Sequence, residues 1–232
     1  MLMSKNIFVA CDTTNLNQIR KIIKETKTKK LNIGYKFGLE LFYSKLGRSF
    51  LSKIDKRKKI FLDLKLNDIP NTCSATISSL KDLQNIKYLT VHIKGGFEML
   101  RAVKKSARRI NKNLKILGVT VLTSLSDKSL KKIGHTKSIR YLVATQTKLA
   151  KAAGLDGVVC SGHEAKIIRK ISKKIEIITP GIRLIGDKNK DQKRVMTPKK
   201  AFDNGATSIV IGRSITKGNI KKNIQKLIKS LK

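Results

Sequence analysis

Asp63, Lys65 and Asp68 stand at the spacing D-x-K-x-x-D within FLDLKLNDIPNT, residues 61–72. A lysine held between carboxylates keeps its proton, because nearby negative charge favours the ammonium form. Such a group can hand a proton to a carbanion as it develops. A preorganised cation aimed at charge that exists only in the transition state is also among the largest contributions open to an enzyme. Decarboxylation, proton transfer and aldol chemistry all fit these groups. Leu62, Leu64 and Leu66 alternate with Asp63, Lys65 and Asn67, so on a strand one face is apolar and the other polar. Burying a carboxylate and an ammonium is costly unless they pair, and pairing alone would satisfy them. Asp68 just beyond the strand and Lys36 at the end of the preceding one extend the pair to a network of four charges.

A second group suits an anion. ITPGIR (178–183) and IVIGRSI (209–215) each close a short apolar run with glycine and arginine. Gly212 lets backbone N–H groups approach closely, and the fork-shaped guanidinium of Arg213 matches phosphate oxygens. Between these runs lies IGDKNKDQKRVMTP (185–198), a long polar segment with the character of a lid, from which Gln192 and Arg194 are expected to reach a phosphate on closure.

What must position these residues is a repeating alternation. Strands are expected near 6–12, 32–38, 59–66, 88–94, 115–123, 157–160, 176–179 and 208–212. Helices are expected near 15–26, 39–54, 71–83, 96–110, 138–153, 164–171, 198–204 and 220–231. Eight βα units in 232 residues fit a single-domain α/β protein, a closed (β/α)8 TIM barrel, better than an open sheet. In such barrels sites form at the C-terminal ends of the strands. Asp12, Lys36, Asp63, Lys65, Thr123, Arg183 and Arg213 all fall there, so scatter in sequence becomes convergence in space.

Composition excludes several classes. A hydrophobic fraction of 40% with 3 prolines and 15 glycines describes a folded chain, without the apolar run that a signal peptide or membrane span needs. A cytoplasmic protein with no membrane association is expected. Cys11, Cys73 and Cys160 are far apart and lack metal-ligand spacing, so they read as reduced small hydrophobes. His92, His135 and His163 are isolated, and no metal site is indicated. The net charge of +37 invites a nucleic-acid reading, but lysines run from Lys5 to Lys232, where a dedicated module concentrates them. No specific nucleic-acid partner is expected, only weak association that salt removes.

Over nearly its whole length the chain resembles the bacterial orotidine 5′-phosphate decarboxylases. The resemblance runs through Ala10-Cys11-Asp12, Tyr35-Lys36-Phe37-Gly38, FLDLKLNDIPNT, VTVLTS, GLDGVVCS, TPGIR, DQKRVMTP and VIGRSIT. It implies decarboxylation of orotidine 5′-phosphate to UMP without metal or cofactor. Lys65 is then the proton donor, flanked by Asp63 and by Asp68 of the other subunit, with Lys36 completing the array. The resemblance further implies that Asp12 and Lys36 contact ribose, and that Ile69, Thr72, Thr123 and Pro180 line the nucleotide pocket. Gln192, Gly212 and Arg213 hold the phosphate with Arg183 close by, and a homodimer shares its sites through Asp68 and Thr72. Two other readings stay open: a magnesium-dependent sugar-phosphate decarboxylase or synthase of the same suprafamily, and a basic nucleic-acid-binding protein.

Overall fold

The computed structural model describes residues 5–187 and 194–231. Its strands are β1 Asn6–Ala10, β2 Asn32–Gly38, β3 Ile60–Leu66, β4 Ile86–His92, β5 Lys115–Val119, β6 Gly157–Val159, β7 Glu176–Thr179 and β8 Ser208–Ile211. Each pairs in parallel with its sequence neighbours. β8 returns to β1 in the register Asn6↔Ser208 to Val9↔Ile211, so the sheet closes into a (β/α)8 barrel.

Around it run α1 Leu16–Glu25, α2 Leu39–Phe42, α3 Gly47–Lys53, α4 Pro70–Ser78, α5 Gly96–Ile110, α6 Asp127–Lys132, α7 Ile139–Ala152, α8 Ala165–Ile171, α9 Pro198–Asp203, α10 Arg213–Thr216 and α11 Ile220–Ser230. The longer helices turn apolar residues inward at helical spacing, as with Ile19 and Ile22 of α1 or Ile220, Ile224 and Leu227 of α11. Side chains of Asn15, Ser138 and Asn219 accept backbone N–H bonds at the starts of α1, α7 and α11, satisfying donors that a helix start otherwise leaves unpaired.

The barrel interior is plugged below its mouth. Phe8 meets Phe61 and Tyr88 edge-on with ring centroids 5.4 Å apart. A Cβ at Gly34 would lie 2.6 Å from the Phe8 ring, so only glycine leaves room for it. Below the rings, the Tyr88 hydroxyl donates to Glu176 Oε2 at 2.8 Å and Lys115 pairs with Oε1. Charges at the mouth therefore rest on a dry aromatic and aliphatic layer.

Several expected boundaries move. The helix expected over 39–54 divides into α2 and α3, because the chain folds back so closely that a Cβ at Gly47 would lie 1.7 Å from Leu41 O. β4 begins and ends earlier than expected, and Ile93–Gly95 forms a 3₁₀ turn. β5 ends at Val119 instead of Thr123, since β6 offers pairing only as far as Val159. Two short helices, α6 and α10, had no counterpart among the expected elements. The first starts with a reciprocal cap between Ser126 and Ser129.

Candidate active site

The D-x-K segment does not continue as a simple pleat. Leu62 pairs with Leu89 and Leu66 with Val91, so four steps along β3 face two along β4, and the surplus bulges. Within the bulge Lys65 takes a left-handed backbone, φ +51°, a conformation costing of order 1–3 kcal/mol for a residue with a Cβ. Thr90 of β4, fully buried, holds it in place: its hydroxyl accepts the Lys65 N–H at 2.9 Å and donates to Asp63 Oδ1 at 2.9 Å. The expected division holds, with Asp63 and Lys65 at the cavity and Leu62 and Leu64 in the core, but by a route that alternation does not describe. It is the bulge pinned by Thr90 that turns the Lys65 ammonium onto Asp63.

Three of the four expected charges meet, joined by Asp12. Asp63 Oδ2 lies 2.8 Å from Lys65 Nζ and 3.3 Å from Lys36 Nζ, and Lys36 Nζ donates to Asp12 Oδ1 at 2.9 Å. Burial works against charge at both Asp63 and Lys36, but each is outweighed by its partners. Lys36 and Lys65 hold the Asp63 carboxyl below its ordinary value, and Asp63 with Asp12 raises Lys36 above its own. Lys36 and Asp63 side chains are 11% and 12% exposed and Lys65 33%, so Lys65 is the cation that presents itself to a ligand.

The array opens into a cavity of about 570 Å³ built from the C-terminal ends of the strands. Thr123, Pro180, Arg183, Gly212 and Arg213 line it as expected from the sequence. A Cβ at Gly212 would meet only Ala10 Cβ at an ordinary 3.5 Å, so packing alone does not require glycine there. Gln18, Thr216 and Lys217 line the cavity too and were not singled out beforehand. Lys217 directly follows the IGRSIT run, which was the available signal. Thr90 gave a weaker one, a hydroxyl amid the apolar residues of YLTVH. His92 is outside the lining. Burial first, then Lys94 and Lys65, hold its pKa below the usual value.

Other expected residues lie apart. Asp68, Ile69 and Thr72 are exposed and do not line the cavity, and Asp68 Oδ1 accepts the Ile69 N–H at 2.7 Å. Gln192 lies outside the described residues. Arg194, expected to reach a ligand from the lid, is instead engaged at the base of that segment. It pairs with Glu164 at 2.7 Å and donates to the carbonyls of Val121 and Leu122 at 3.2 and 3.0 Å. A buried carboxylate and two backbone carbonyls give this guanidinium charge-assisted partners within the chain, which explains the difference.

Among the described residues no cluster of three or more His, Cys, Asp or Glu side chains is arranged to hold a metal ion, and no helix is long and apolar enough to cross a membrane. Residues 5–226 match the model of the orotidine 5′-phosphate decarboxylase / HUMPS family. An orotidine 5′-phosphate decarboxylase of Carboxydothermus hydrogenoformans is 44% identical over 222 residues, 92% of this chain and 90% of that protein. One from Fusobacterium nucleatum is 41% identical over 99% of this chain and 96% of its own length. The crystal structure of orotidine 5′-phosphate decarboxylase from Lactobacillus acidophilus superimposes with a TM-score of 0.82 at 33% identity, covering 97% of this chain and 98% of that one.

Proposed function

The chain belongs to the orotidine 5′-phosphate decarboxylase / HUMPS family, and from that premise we propose that it converts orotidine 5′-phosphate to UMP and CO2, with Lys65 as proton donor. The observation that carries the mechanism is the Asp63 carboxylate shared by two ammonium groups, at 2.8 and 3.3 Å, beneath a cavity whose far side holds Arg183 and Arg213.

The bond between the pyrimidine ring and its carboxylate breaks, the electron pair stays on the ring carbon, and CO2 leaves. Lys65 Nζ stabilises that charge and then delivers a proton to the same carbon. Solvent reprotonates the amine, so one proton is consumed per turnover. Asp63 and Lys36 keep Lys65 oriented and charged, while Asp12 and Lys36 form the ribose end. Thr123 and Pro180 border the base. Gly212 and Arg213, with Arg183 near, receive the phosphate, and Gln192 is assigned the same ligand. Phosphate binding remote from the reacting carbon then contributes to lowering the chemical barrier. These steps require no cofactor.

Asp68 and Thr72, exposed in the single chain, are assigned to the neighbouring subunit's site in a homodimer, and Ile69 between them is assigned to substrate binding. The reading treats the chain as one barrel domain and places it in the cytoplasm, in keeping with three buried free thiols.

A magnesium-dependent reaction on a sugar phosphate needs a carboxylate free to take a divalent cation. Here Lys36 occupies that side of Asp63 and would repel the ion. The deciding assay follows the loss of orotidine 5′-phosphate absorbance with purified protein in excess chelator. Full turnover is expected, and strict magnesium dependence or inertness toward this substrate overturns the proposal.

A further inference from the structure

Folding gathers part of the cationic excess into one continuous tract away from the cavity. Between α1 and α3 runs a groove of about 600 Å³ whose floor includes Ile23, Leu46 and Phe50 and whose rim carries Arg20, Lys24, Lys27, Lys53 and Lys58. Lys58 also borders a second concavity of about 340 Å³ at the N-terminal end of β3 and β4, shared with Lys56, Arg57, Lys59 and Lys87. Asp55, the acid of the groove, is already taken up by Arg57, which approaches both its oxygens at 2.8–3.2 Å.

Crowding of this kind has a cost. Lys59, affected first by burial and then by Lys87 and Lys115, has its pKa held below the ordinary lysine value. A bound polyanion relieves such repulsion, and the apolar floor says what else the ligand must bring. Leu46 is 57% exposed, and the Arg20 guanidinium lies over the Phe50 ring at 5.6 Å, so a base entering the groove meets Leu46 and the flat face of that guanidinium. A duplex or polyphosphate would use the cations and leave the floor wet. An anionic membrane favours a protruding apolar face, whereas this one is concave. The basic flank of α5 around Arg101 and Arg108 adjoins Pro70, beside the segment assigned to the partner subunit, and its lining offers Pro70 and alanines with no aromatic ring.

We propose that the α1–α3 groove and its continuation past Lys58 bind single-stranded polynucleotide without sequence preference. Bases rest on Leu46 and on the Arg20 guanidinium that covers Phe50, and phosphates rest on the lysine rim. Stacking with a cationic groove is the general basis of such binding, and every base has a face to offer.

The test is titration of a fluorescein-labelled dT20 probe at several salt concentrations. The tract variant Lys53→Glu/Lys58→Glu/Lys87→Glu is compared with the α11 variant Lys221→Glu/Lys222→Glu/Lys226→Glu, which changes the total charge equally. The tract variant is expected to bind at least about tenfold more weakly and to flatten the log–log salt slope by about two, at roughly 0.7 per lost phosphate contact. The α11 variant should move affinity less than about threefold. Equal losses in both overturn the proposal, because the whole field and not the tract is then responsible. Leu46→Ser should weaken dT20 a few-fold with an unchanged slope. Polyphosphate or phosphatidylglycerol vesicles that displace the probe at equal anion concentration would sink the assignment to a base-bearing strand. Should the triple variant lose its thermal transition, Lys53→Gln/Lys58→Gln set against Lys221→Gln/Lys222→Gln carries the same comparison.

Discussion

Residues 61–66 and 67–72 adjoin one another and both carry polar groups suited to a site, yet they occupy opposite environments. In the first run Asp63 is buried, bonded on one oxygen to Thr90 and on the other to Lys65 and Lys36. In the second run Asp68, Ile69 and Thr72 face solvent, with Ile69 65% exposed and the Asp68 carboxylate turned onto the next backbone N–H. One chain completes the chemistry of the first run. The second run stays in solvent, and in the proposed homodimer it would serve the neighbour's site. The two halves of one twelve-residue motif thus part company where the strand ends at Leu66.

The sharpest break in that contrast comes from Lys65→Ala. It should lower turnover on orotidine 5′-phosphate by on the order of 10⁴-fold, the upper range for a positioned acid. Retention of UMP within about fivefold, measured by calorimetry, would show that the phosphate grip survives, and near-normal turnover would refute the assignment. Asp68→Ala should cost about 10²–10³-fold in kcat, in the range of one electrostatic group. Mixing the two inactive variants in equal amounts should then restore about a quarter of wild-type activity, because half of the randomly paired dimers are mixed and each holds one intact site. No recovery after subunit exchange would mean that Asp68 serves its own chain or none.

Arg213→Ala probes the far side of the cavity and should raise KM by about 10- to 100-fold, the effect of losing a charge-assisted phosphate contact. A change confined to kcat would place the phosphate elsewhere. Thr90→Val keeps the shape and removes the hydroxyl that joins the bulge to Asp63. We expect kcat to fall about tenfold with KM little changed, a stability loss of about 1–3 kcal/mol from the unpaired carboxylate oxygen, and recovery in Thr90→Ser. If Ser fails to restore kcat, the hydroxyl is not what positions Lys65.

The smallest effect concerns pH. Asp63 has a lowered pKa when folded, so its contribution is present above the ordinary 3.8 and disappears as pH falls through the folded value. Lys36 is raised, so its contribution is complete below 10.5 and disappears as pH rises through the folded value. Urea melts should therefore show the array's stabilisation as a plateau between these limits. Lys36→Met should remove the alkaline decline, and an unchanged alkaline limb would disprove the coupling.

The alternation of short apolar runs with helical stretches pointed to a barrel, because strand and helix periods are local properties of the chain, while its closure rests on the pairing of β8 with β1. The same alternation marked Asp63, Lys65, Thr123, Arg183 and Arg213 as neighbours, since a closed parallel barrel brings all strand ends to one mouth. Local patterns do not reveal register. The surplus residues between Leu62 and Leu66, the left-handed Lys65 and the hydroxyl of Thr90 that pins them arise only when β4 is laid beside β3. The engagement of Arg194 by Glu164 and two carbonyls likewise depends on residues 30 and more positions away. Sequence determined which groups could do the chemistry, because type and period are written along the chain. Tertiary structure decided which of them meet, because hydrogen bonds between strands set distances that spacing along one strand cannot.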